Sequence, residues 1–361
     1  TREKLGGSIP KRREHSETLK LKNKDAFKVL HEGSGERKVS TTTNCVRIMN
    51  NLIKDENLGE RVVPIVPDEA RTFGMEGMFK QIGIYSSEGQ LYEPEDADQV
   101  MWYKESETGV MLEEGITEAG SFAAWTALAT SYSNHNLTMI PFYVFYSMFG
   151  FQRIHDLAWA AGDAQAKGFL IGATSGRTTL NGEGLQHQDG HSHILASTIP
   201  NCISYDPAYS YELAIIIKEG MRRMYKEMDS VFYYITTMNE NYQQPDMPKG
   251  IEGDIIKGMY KIRTTKNPTI RLLGSGPLLN EVIAAADLLK DEWGIEPGIW
   301  NVTSFTELRR EAEEIERWNL INPEQKQKQS HIEKALNKNP VPTIAVSDYV
   351  KMSSEQISPY V

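Results

Sequence analysis

Short runs of almost entirely apolar residues alternate along this chain with longer segments that carry helical periodicity. The runs include Met139–Tyr146, Phe169–Ala173 and Cys202–Tyr205. Strands that are apolar throughout, rather than at every second residue, are buried on both faces, as in parallel sheets covered by helices. The alternation therefore predicts an α/β fold with a parallel sheet at its core.

The same patterns place the other elements of the predicted fold. Helices are predicted over Asn44–Ile53, Ala70–Ile82, Thr117–Ser131, Gln152–Ala166, Tyr209–Glu227, Leu278–Glu292 and Glu307–Trp318. Further strands are predicted over Arg61–Val66, Val231–Met238, Ile270–Leu273, Gly298–Val302 and Thr343–Val346, the last followed by a short helix. We expect Leu157 and Trp159 to lie on the apolar, buried face of their helix.

The chain divides into three regions of different composition. Residues 1–40 are polar, basic and dotted with glycine, which is typical of a surface linker, here with one short helix over Lys24–His31. Residues 41–247 carry the first α/β alternation and residues 248–361 a second one, with the link near Gln244–Gly253. Because only three strands are predicted in the last region, we expect a smaller, truncated α/β domain there.

Charge and hydropathy argue against two classes of partner. The formal net charge is −10, whereas a nucleic-acid-binding chain normally presents a basic face. The longest apolar run, Met139–Phe151, is shorter than the roughly 20 residues that span a bilayer. The 2 cysteines are too few for a disulfide scaffold. We therefore expect a cytoplasmic protein that binds neither nucleic acid nor membrane.

Polar, charged and aromatic residues follow the predicted strands of the first region. In open parallel sheets, ligands bind beyond the carboxyl ends of the strands. The segments concerned are Pro67–Arg71, Ser147–Arg153, Thr174–His193, Asp206–Pro207 and Asn239–Asn241. The pattern predicts a ligand site along this edge of the sheet.

The segment Thr174–His193 combines several glycines with three histidines. His187, His191 and His193 could hold a metal ion together with Asp189, although their spacing matches no strong metal-binding signature. Alternatively, one histidine forms hydrogen bonds or transfers protons while the others are structural, or all three are structural. The residues by themselves leave these alternatives open.

Glu118 stands at the start of an alanine-rich helix, directly after Ile116 and Thr117. The helix dipole stabilises a carboxylate in the first turn by about 0.3–1 kcal/mol, so a glutamate there needs no catalytic role. The aromatic residues of Tyr143–Phe151 likewise pack into cores more often than they bind cofactors. Taken alone, both features favour a structural role.

Taken together, several blocks of the sequence resemble the homodimeric bacterial pyruvate dehydrogenases, the thiamine-diphosphate-dependent first component of the pyruvate dehydrogenase complex. The blocks are Pro67–Met75, Glu114–Gly120, Tyr146–Arg153, Thr174–His193 and Asn201–Tyr209. The resemblance runs from about Thr42 to the last residue. It implies a pyrimidine-binding domain followed by part of a transketolase-like carboxyl-terminal domain. Transketolases share this architecture but not the glycine–histidine segment.

The resemblance implies a set of cofactor-binding residues. Glu118 resembles the glutamate that hydrogen-bonds the pyrimidine ring of thiamine diphosphate and promotes proton removal from the cofactor. Ile116 matches the apolar residue that wedges between the two cofactor rings, and Phe149 matches the aromatic residue that stacks on the pyrimidine. Asp68 is assigned to the same cofactor site.

The resemblance also implies a reaction and its catalytic residues. Glu118 and His187 are expected to be catalytic, with Tyr146 and Glu69 as polar neighbours of the pyruvate-derived group. The implied activity is that of pyruvate dehydrogenase (acetyl-transferring): oxidative decarboxylation of pyruvate, with reductive acetylation of a lipoyl group on the dihydrolipoyl acetyltransferase component.

Parts of the family pattern have no counterpart in the sequence. These are the diphosphate- and magnesium-binding domain, expected before Thr1, a mobile loop with a further histidine, and the end of the carboxyl-terminal domain. We expect no magnesium ligand in this chain. The chain would supply half of an active site, and a diphosphate-binding segment or a second copy would supply the other half. The alternatives are a non-catalytic assembly chain of the same fold, a transketolase-like enzyme, and a metal-dependent enzyme built on the histidine segment.

Overall fold

The computed structural model of the chain describes residues 4, 16–19, 27–67, 70–180, 184–336 and 340–361. Within these ranges, strands form one six-stranded sheet, one four-stranded sheet and two short pairs. The strands are β1 (Lys38–Val39), β2 (Val62–Val66), β3 (Ile84–Tyr85), β4 (Glu105–Ser106), β5 (Leu112–Glu113), β6 (Ile140–Tyr146), β7 (Phe169–Ala173), β8 (Cys202–Tyr205), β9 (Phe232–Thr236), β10 (Tyr242–Gln243), β11 (Met259–Arg263), β12 (Arg271–Gly274), β13 (Gly298–Val302) and β14 (Thr343–Val346).

Helices fill most of the connections between these strands. The α-helices are α1 (Thr41–Ile53), α2 (Gly77–Gln81), α3 (Glu118–Ala129), α4 (Ser131–Asn134), α5 (Ser147–Asp163), α6 (Ser192–Ser197), α7 (Ser210–Met221), α8 (Glu252–Lys257), α9 (Leu278–Trp293), α10 (Phe305–Ile321), α11 (His331–Leu336) and α12 (Lys351–Glu355). Single 3₁₀ turns cover Lys28–Leu30, Gly59–Arg61, Leu185–His187 and Ser358–Tyr360, and a π-turn covers Arg222–Lys226. In the described part of the chain, no helix has the length and apolar character needed to cross a bilayer.

The first sheet has the strand order β5-β2-β6-β7-β9-β8, and every neighbouring pair in it is parallel. One face packs against α1 and α7, and the other packs against α3, α5 and α6. The central strands are therefore buried on both faces, as their uninterrupted apolar sequences predict. This confirms the predicted α/β class with a helix-covered parallel sheet. Residues 41–243, from α1 to β10, are called the six-stranded unit below.

Helix α5 lies unusually close to strand β6. A Cβ built on Gly150 would overlap the ring of Phe145, which is fully buried. Gly150→Ala is therefore expected to lower the free energy of unfolding by about 1–3 kcal/mol, as overpacking of a core does. Gly253→Ala is the matched control, since that helical glycine has open space around its Cβ position, and should stabilise by about 0.5–1 kcal/mol. Urea unfolding of both variants measures the difference, and equal midpoints would contradict this packing.

The second sheet has the order β11-β13-β12-β14, in which β11 is antiparallel and the other strands are parallel. The prediction of only three strands in this region was wrong. Strand β11 is half-exposed towards its end and reads Met-Tyr-Lys-Ile-Arg, so it lacks the uninterrupted apolar run that marks the other strands. Residues 252–360, from α8 to the final 3₁₀ turn, are called the four-stranded unit.

Two of the predicted helices are not continuous α-helices, and others, such as α5, differ from the prediction in their end residues. The helix expected over Ala70–Ile82 is a series of turns followed by the short α2, because Gly74 adopts a left-handed conformation with φ +71° that interrupts it. The helix expected over Tyr209–Glu227 is an α-helix, α7, only as far as Met221. The π-turn Arg222–Lys226 follows it directly. Of the segment Lys24–His31, only residues from 27 onward are described, and they contain a 3₁₀ turn.

The burial expected for two residues of α5 was wrong. Leu157 is 37% exposed and Trp159 is 44% exposed. The helix turns Phe151, Ile154 and Ala158 towards the sheet instead. Leu157 and Trp159 lie at positions of the helix that do not face this core.

The two units are joined by buried polar contacts around β8. Arg310 of α10 donates to the carbonyl oxygens of Cys202 (2.7 Å) and Ile199 (2.8 Å). The hydroxyl of Ser304 donates to the carbonyl of Ser204 at 2.7 Å. Such contacts satisfy backbone groups that would otherwise be buried without partners. They fix the four-stranded unit against one edge of the parallel sheet.

Candidate active site

The predicted site residues come from three segments that meet beyond β6 and β7. Tyr146 is the last residue of β6, and Phe149 lies in the first turn of α5. His187 ends a 3₁₀ turn in the long connection that follows β7. Glu118 is the first residue of α3, whose start follows β5. Phe149 and His187 lie in segments that the strand-end rule selected from the sequence, whereas no strand was predicted before Glu118, which follows β5.

Glu118 is a buried carboxylate that forms a salt bridge with Arg153. It is only 7% exposed, and Arg153 Nη1 donates to its Oε1 at 2.5 Å. Helix α3 is capped by Thr117, whose hydroxyl accepts from the Gly120 N–H at 3.2 Å. The favourable interaction with the helix dipole does not by itself require a glutamate to be buried. Burial and the arginine partner together hold the Glu118 side chain in one position, as a functional carboxylate requires.

Two aromatic rings pack against His187. Its ring centroid lies 4.8 Å from that of Tyr146 and 5.1 Å from that of Phe149. Phe73 packs edge-on against Tyr146 at 5.3 Å. An imidazole held in this way is oriented by its neighbours and sits in a setting poorer in water than a surface loop.

Arg153 connects the two groups. Its guanidinium carbon lies 4.4 Å from the centroid of the Phe149 ring, while the same guanidinium binds Glu118. No role was predicted for Arg153 from the sequence. Its spacing of four residues from Phe149 was the available signal, because such residues share one face of a helix. The side-chain pairing with Glu118, on another helix, has no signature in the sequence.

Ile116 lies two residues before Glu118 and is exposed. It is 77% exposed and follows Gly115, which has a left-handed backbone with φ +75°. A large apolar side chain in this position offers a hydrophobic surface next to a buried carboxylate. Asp68 and Glu69, the other two predicted site residues, lie outside the described residues.

Two further polar residues of the glycine–histidine segment, Asp189 and His193, are engaged in the fold. Asp189 accepts hydrogen bonds from the N–H groups of His191 and Ser192, both at 2.9 Å, at the start of α6. His193 is buried with Nε2 3.0 Å from Thr236 Oγ1, and burial lowers the pKa of its imidazole to about 4. His193 is therefore neutral at pH 7. The described residues contain no group of three or more His, Cys, Asp or Glu side chains arranged to hold a metal ion.

Two known protein families match consecutive parts of the chain. Residues 17–245 match the family described as pyruvate dehydrogenase E1 component middle domain. Residues 258–360 match the transketolase-like TK C-terminal domain. The first match covers the site described above, and the second covers nearly all of the four-stranded unit.

Solved transketolases share the fold at low sequence identity. The transketolase of Campylobacter jejuni superposes with a TM-score of 0.65 at 16% identity, covering 91% of this chain and 43% of that one. The transketolase of Leishmania mexicana gives a TM-score of 0.67 at 14% identity, covering 92% of this chain and 41% of that one. At such identities the likeness shows the fold alone.

Curated relatives are much closer in sequence. The pyruvate dehydrogenase E1 component of Pseudomonas aeruginosa is 59% identical over 360 residues, which is 99% of this chain and 41% of that protein. The E1 components of Cupriavidus necator and Escherichia coli K12 are 56% and 53% identical, each over 100% of this chain and 41% of the relative. The chain therefore belongs to the pyruvate dehydrogenase E1 component family, and it spans 41% of the length of these relatives.

Proposed function

We propose that this chain forms the pyrimidine-binding wall of a thiamine-diphosphate site that decarboxylates pyruvate and passes the acetyl group to a lipoyl group of an acetyltransferase component. The observation that carries the proposal is the buried Glu118 carboxylate, held by Arg153 and lying two residues after the exposed Ile116. The relatives are named pyruvate dehydrogenase E1 components, which supports pyruvate as the substrate.

The chemistry of these side chains fits the aminopyrimidine of the cofactor. That ring is flat and carries a nitrogen that can donate to a carboxylate once it is protonated. Glu118 offers the carboxylate, Phe149 an aromatic surface and Ile116 an exposed apolar one. When bound, thiamine diphosphate supplies a nucleophilic carbon and an electron sink for decarboxylation.

The residues of this chain would act by holding charge and moving protons. Glu118 would keep a proton at the ring nitrogen, and Arg153 would hold the carboxylate in the correct orientation. His187 would exchange a proton with the substrate-derived oxygen, within hydrogen-bonding reach of a group bound beside Tyr146. The rings of Tyr146 and Phe149 would exclude water from this reaction.

The proposal places the diphosphate and Mg²⁺ contacts on a segment other than the described residues of this chain. Either the same polypeptide or a second copy would supply it, so the site would be shared. Asp68 and Glu69 would complete the wall on the substrate side. We propose a cytoplasmic, homodimeric enzyme within a multienzyme complex.

A chimera tests the proposal. In it, this chain replaces the matching segment of the Pseudomonas aeruginosa E1 component, to which it is 59% identical. Release of CO₂ from pyruvate and acetylation of a lipoyl domain are the expected results. A folded chimera that binds thiamine diphosphate without releasing CO₂ would favour a non-catalytic chain, and transfer from a ketose phosphate instead would favour a transketolase-like enzyme.

The stacking role of Phe149 gives a separate prediction. Phe149→Leu should weaken thiamine diphosphate binding by about 3- to 10-fold, since aromatic stacking contributes about 0.5–1.5 kcal/mol beyond area burial. Trp159→Leu, an aromatic substitution at an exposed position of the same helix, is the control and should leave affinity unchanged. Titration calorimetry of the chimera measures both, and equal affinities would exclude Phe149 from the binding surface.

A further inference from the structure

The connection that carries His187 begins and ends at one point. The N–H of Asp189 donates to the carbonyl of Gly176 at 2.9 Å, so the two ends of this connection, here called the loop ends, meet; of the residues between them, 177–180 and 184–188 are described. His187 lies two residues before this closing hydrogen bond. Any shift of the loop ends therefore shifts His187 relative to Tyr146 and Phe149, which belong to β6 and α5.

The first end of this loop is bound to the four-stranded unit. Asp348, which follows β14 and is only 2% exposed, accepts from the N–H of Arg177 at 2.7 Å and from that of Thr178 at 3.1 Å. The Arg177 side chain reciprocates, because Nε donates to the Asp348 carbonyl at 2.7 Å and Nη2 donates to the Tyr349 carbonyl at 3.1 Å. Hydrogen bonds to a charged partner are worth about twice those between neutral groups.

The approach is close enough to require glycine. Gly176 has φ +82°, and a Cβ built there would overlap the Asp348 carboxylate. Both the left-handed backbone and the missing side chain are properties that glycine supplies. The backbone at the start of the loop is thus shaped to receive the aspartate.

The second end of the loop is bound by the same short segment. The N–H of Val350 donates to the carbonyl of Gly190 at 3.0 Å. Three consecutive residues, 348–350, therefore hold both ends of a loop that lies about 170 residues earlier in the chain. Other contacts between the units lie elsewhere, beside β8, where Arg310 and Ser304 bind backbone carbonyls, and at Glu212 of α7.

We propose that residues 348–350, here called the 348–350 clamp, position His187 for the reaction, so that the four-stranded unit controls the geometry of the site without contacting substrate. This inference rests on the proposed function. Asp348 is a positioning residue and acts through the backbone of Arg177 and Thr178. Misplacing a catalytic group by about 1 Å can cost on the order of 100-fold in rate, so a clamp on the loop ends is expected to affect turnover more than substrate affinity.

Hydrogen exchange on the chain itself tests whether the clamp holds the loop. In Asp348→Ala, the amides of 177, 178 and 184–190 should exchange about 10- to 100-fold faster, since each lost charge-assisted bond is worth about 1.5–3 kcal/mol. The amides of β6 and β7 should be unchanged. Asp348→Asn keeps an acceptor oxygen and should restore most of the protection. Asp287→Ala is the matched control, because Asp287 pairs with Arg263 on the exposed surface of the same unit.

Turnover in the chimera tests whether the clamp matters for the reaction. Asp348→Ala should lower kcat by about 10-fold or more while changing KM for pyruvate by less than about 3-fold, and Asp348→Asn should recover most of kcat. Should Asp348→Ala not fold, Arg177→Ala replaces it, since that variant keeps both backbone donors to Asp348 and loses the two side-chain bonds.

The outcomes separate the two proposals. The clamp proposal would be overturned if the loop amides of Asp348→Ala and Arg177→Ala exchanged within about twofold of the parent rate. It would also be overturned if these amides exchanged faster while kcat stayed unchanged. If the amides of both units exchanged uniformly faster, Asp348 would be a general stabilising contact, and the clamp proposal would again be overturned. A parent chimera without pyruvate turnover would instead overturn the proposed function.

Discussion

Replacing Glu118 with Gln is expected to lower pyruvate turnover of the chimera by about 100- to 10,000-fold, the range that general acid–base catalysis contributes. The glutamine keeps the size of the side chain but cannot hold a proton at the cofactor ring nitrogen. It also removes the negative charge that Arg153 binds at 2.5 Å, leaving that guanidinium without its ionic partner. Initial rates of CO₂ release at saturating pyruvate and thiamine diphosphate measure the effect.

A matched control separates catalysis from helix capping. Glu281 also lies in the first turn of a helix, α9, but is exposed. Glu281→Gln loses the same dipole interaction and should change turnover by less than about twofold. Thermal unfolding of both variants checks that the fold is retained. If Glu118→Gln kept a rate similar to that of Glu281→Gln, Glu118 would have only the structural role that its position at a helix start suggests.

Removing the carboxyl group of Glu212 is expected to produce the largest loss of stability. Glu212 of α7 is fully buried and accepts from the N–H groups of Ala208 (2.7 Å) and Tyr209 (3.1 Å). It also accepts from Tyr260 and Asn301, which belong to the four-stranded unit. Glu212→Ala would leave four donors without this acceptor, so the free energy of unfolding should fall by on the order of 3 kcal/mol or more.

The control for this prediction lies on the same helix. Glu219 is paired with Arg222 near the surface, and surface ion pairs contribute about 0–1 kcal/mol. Glu219→Ala should therefore cost no more than about 1 kcal/mol in the same chemical denaturation experiment. Equal losses for the two alanine variants would show that the buried carboxyl group does not join the units.

Glu212 also predicts a pH dependence of stability. Burial raises the pKa of its carboxyl group from 4.5 to about 7, so the native state binds this proton more tightly than the unfolded state does. Its contribution is fully present below about pH 4.5 and is lost as the pH rises through about 7. Relative to Glu212→Gln, the free energy of unfolding of the parent should fall by on the order of 3 kcal/mol between these limits. A constant difference would contradict a buried, protonated carboxyl group.

The sequence predicted the parallel sheet well because its strands are marked by composition. Ile140–Tyr146 and Phe169–Ala173 are buried on both faces, and nothing but an uninterrupted apolar run satisfies that environment. Strand Met259–Arg263 was not predicted, because it is partly exposed and carries charged residues among the apolar ones. Trp159 was predicted on the apolar face of its helix but is exposed. When a helix carries apolar residues on several sides, its sequence does not indicate which of them face the core.

The sequence predicted which strands Phe149 and His187 follow but not the side-chain contacts around them, and their use as a site stays a prediction. The strand-end rule brings Tyr146 and His187 to one edge of the sheet, where their rings pack together. The pairing of Glu118 with Arg153 depends on side-chain conformations on two separate helices. The contact of Asp348 with Arg177 joins residues 171 positions apart. Short-range sequence patterns carry no information about contacts between residues so far apart in the chain. Both contacts could therefore be identified only in the folded structure.

The most direct test of the proposed site is the position of the cofactor ring. A crystal structure of the chimera with thiamine diphosphate should show the pyrimidine between Ile116 and Phe149, with its ring nitrogen within hydrogen-bonding distance, about 2.6–3.2 Å, of the Glu118 carboxylate. A pyrimidine bound elsewhere, with Glu118 contacting only Arg153, would contradict the account.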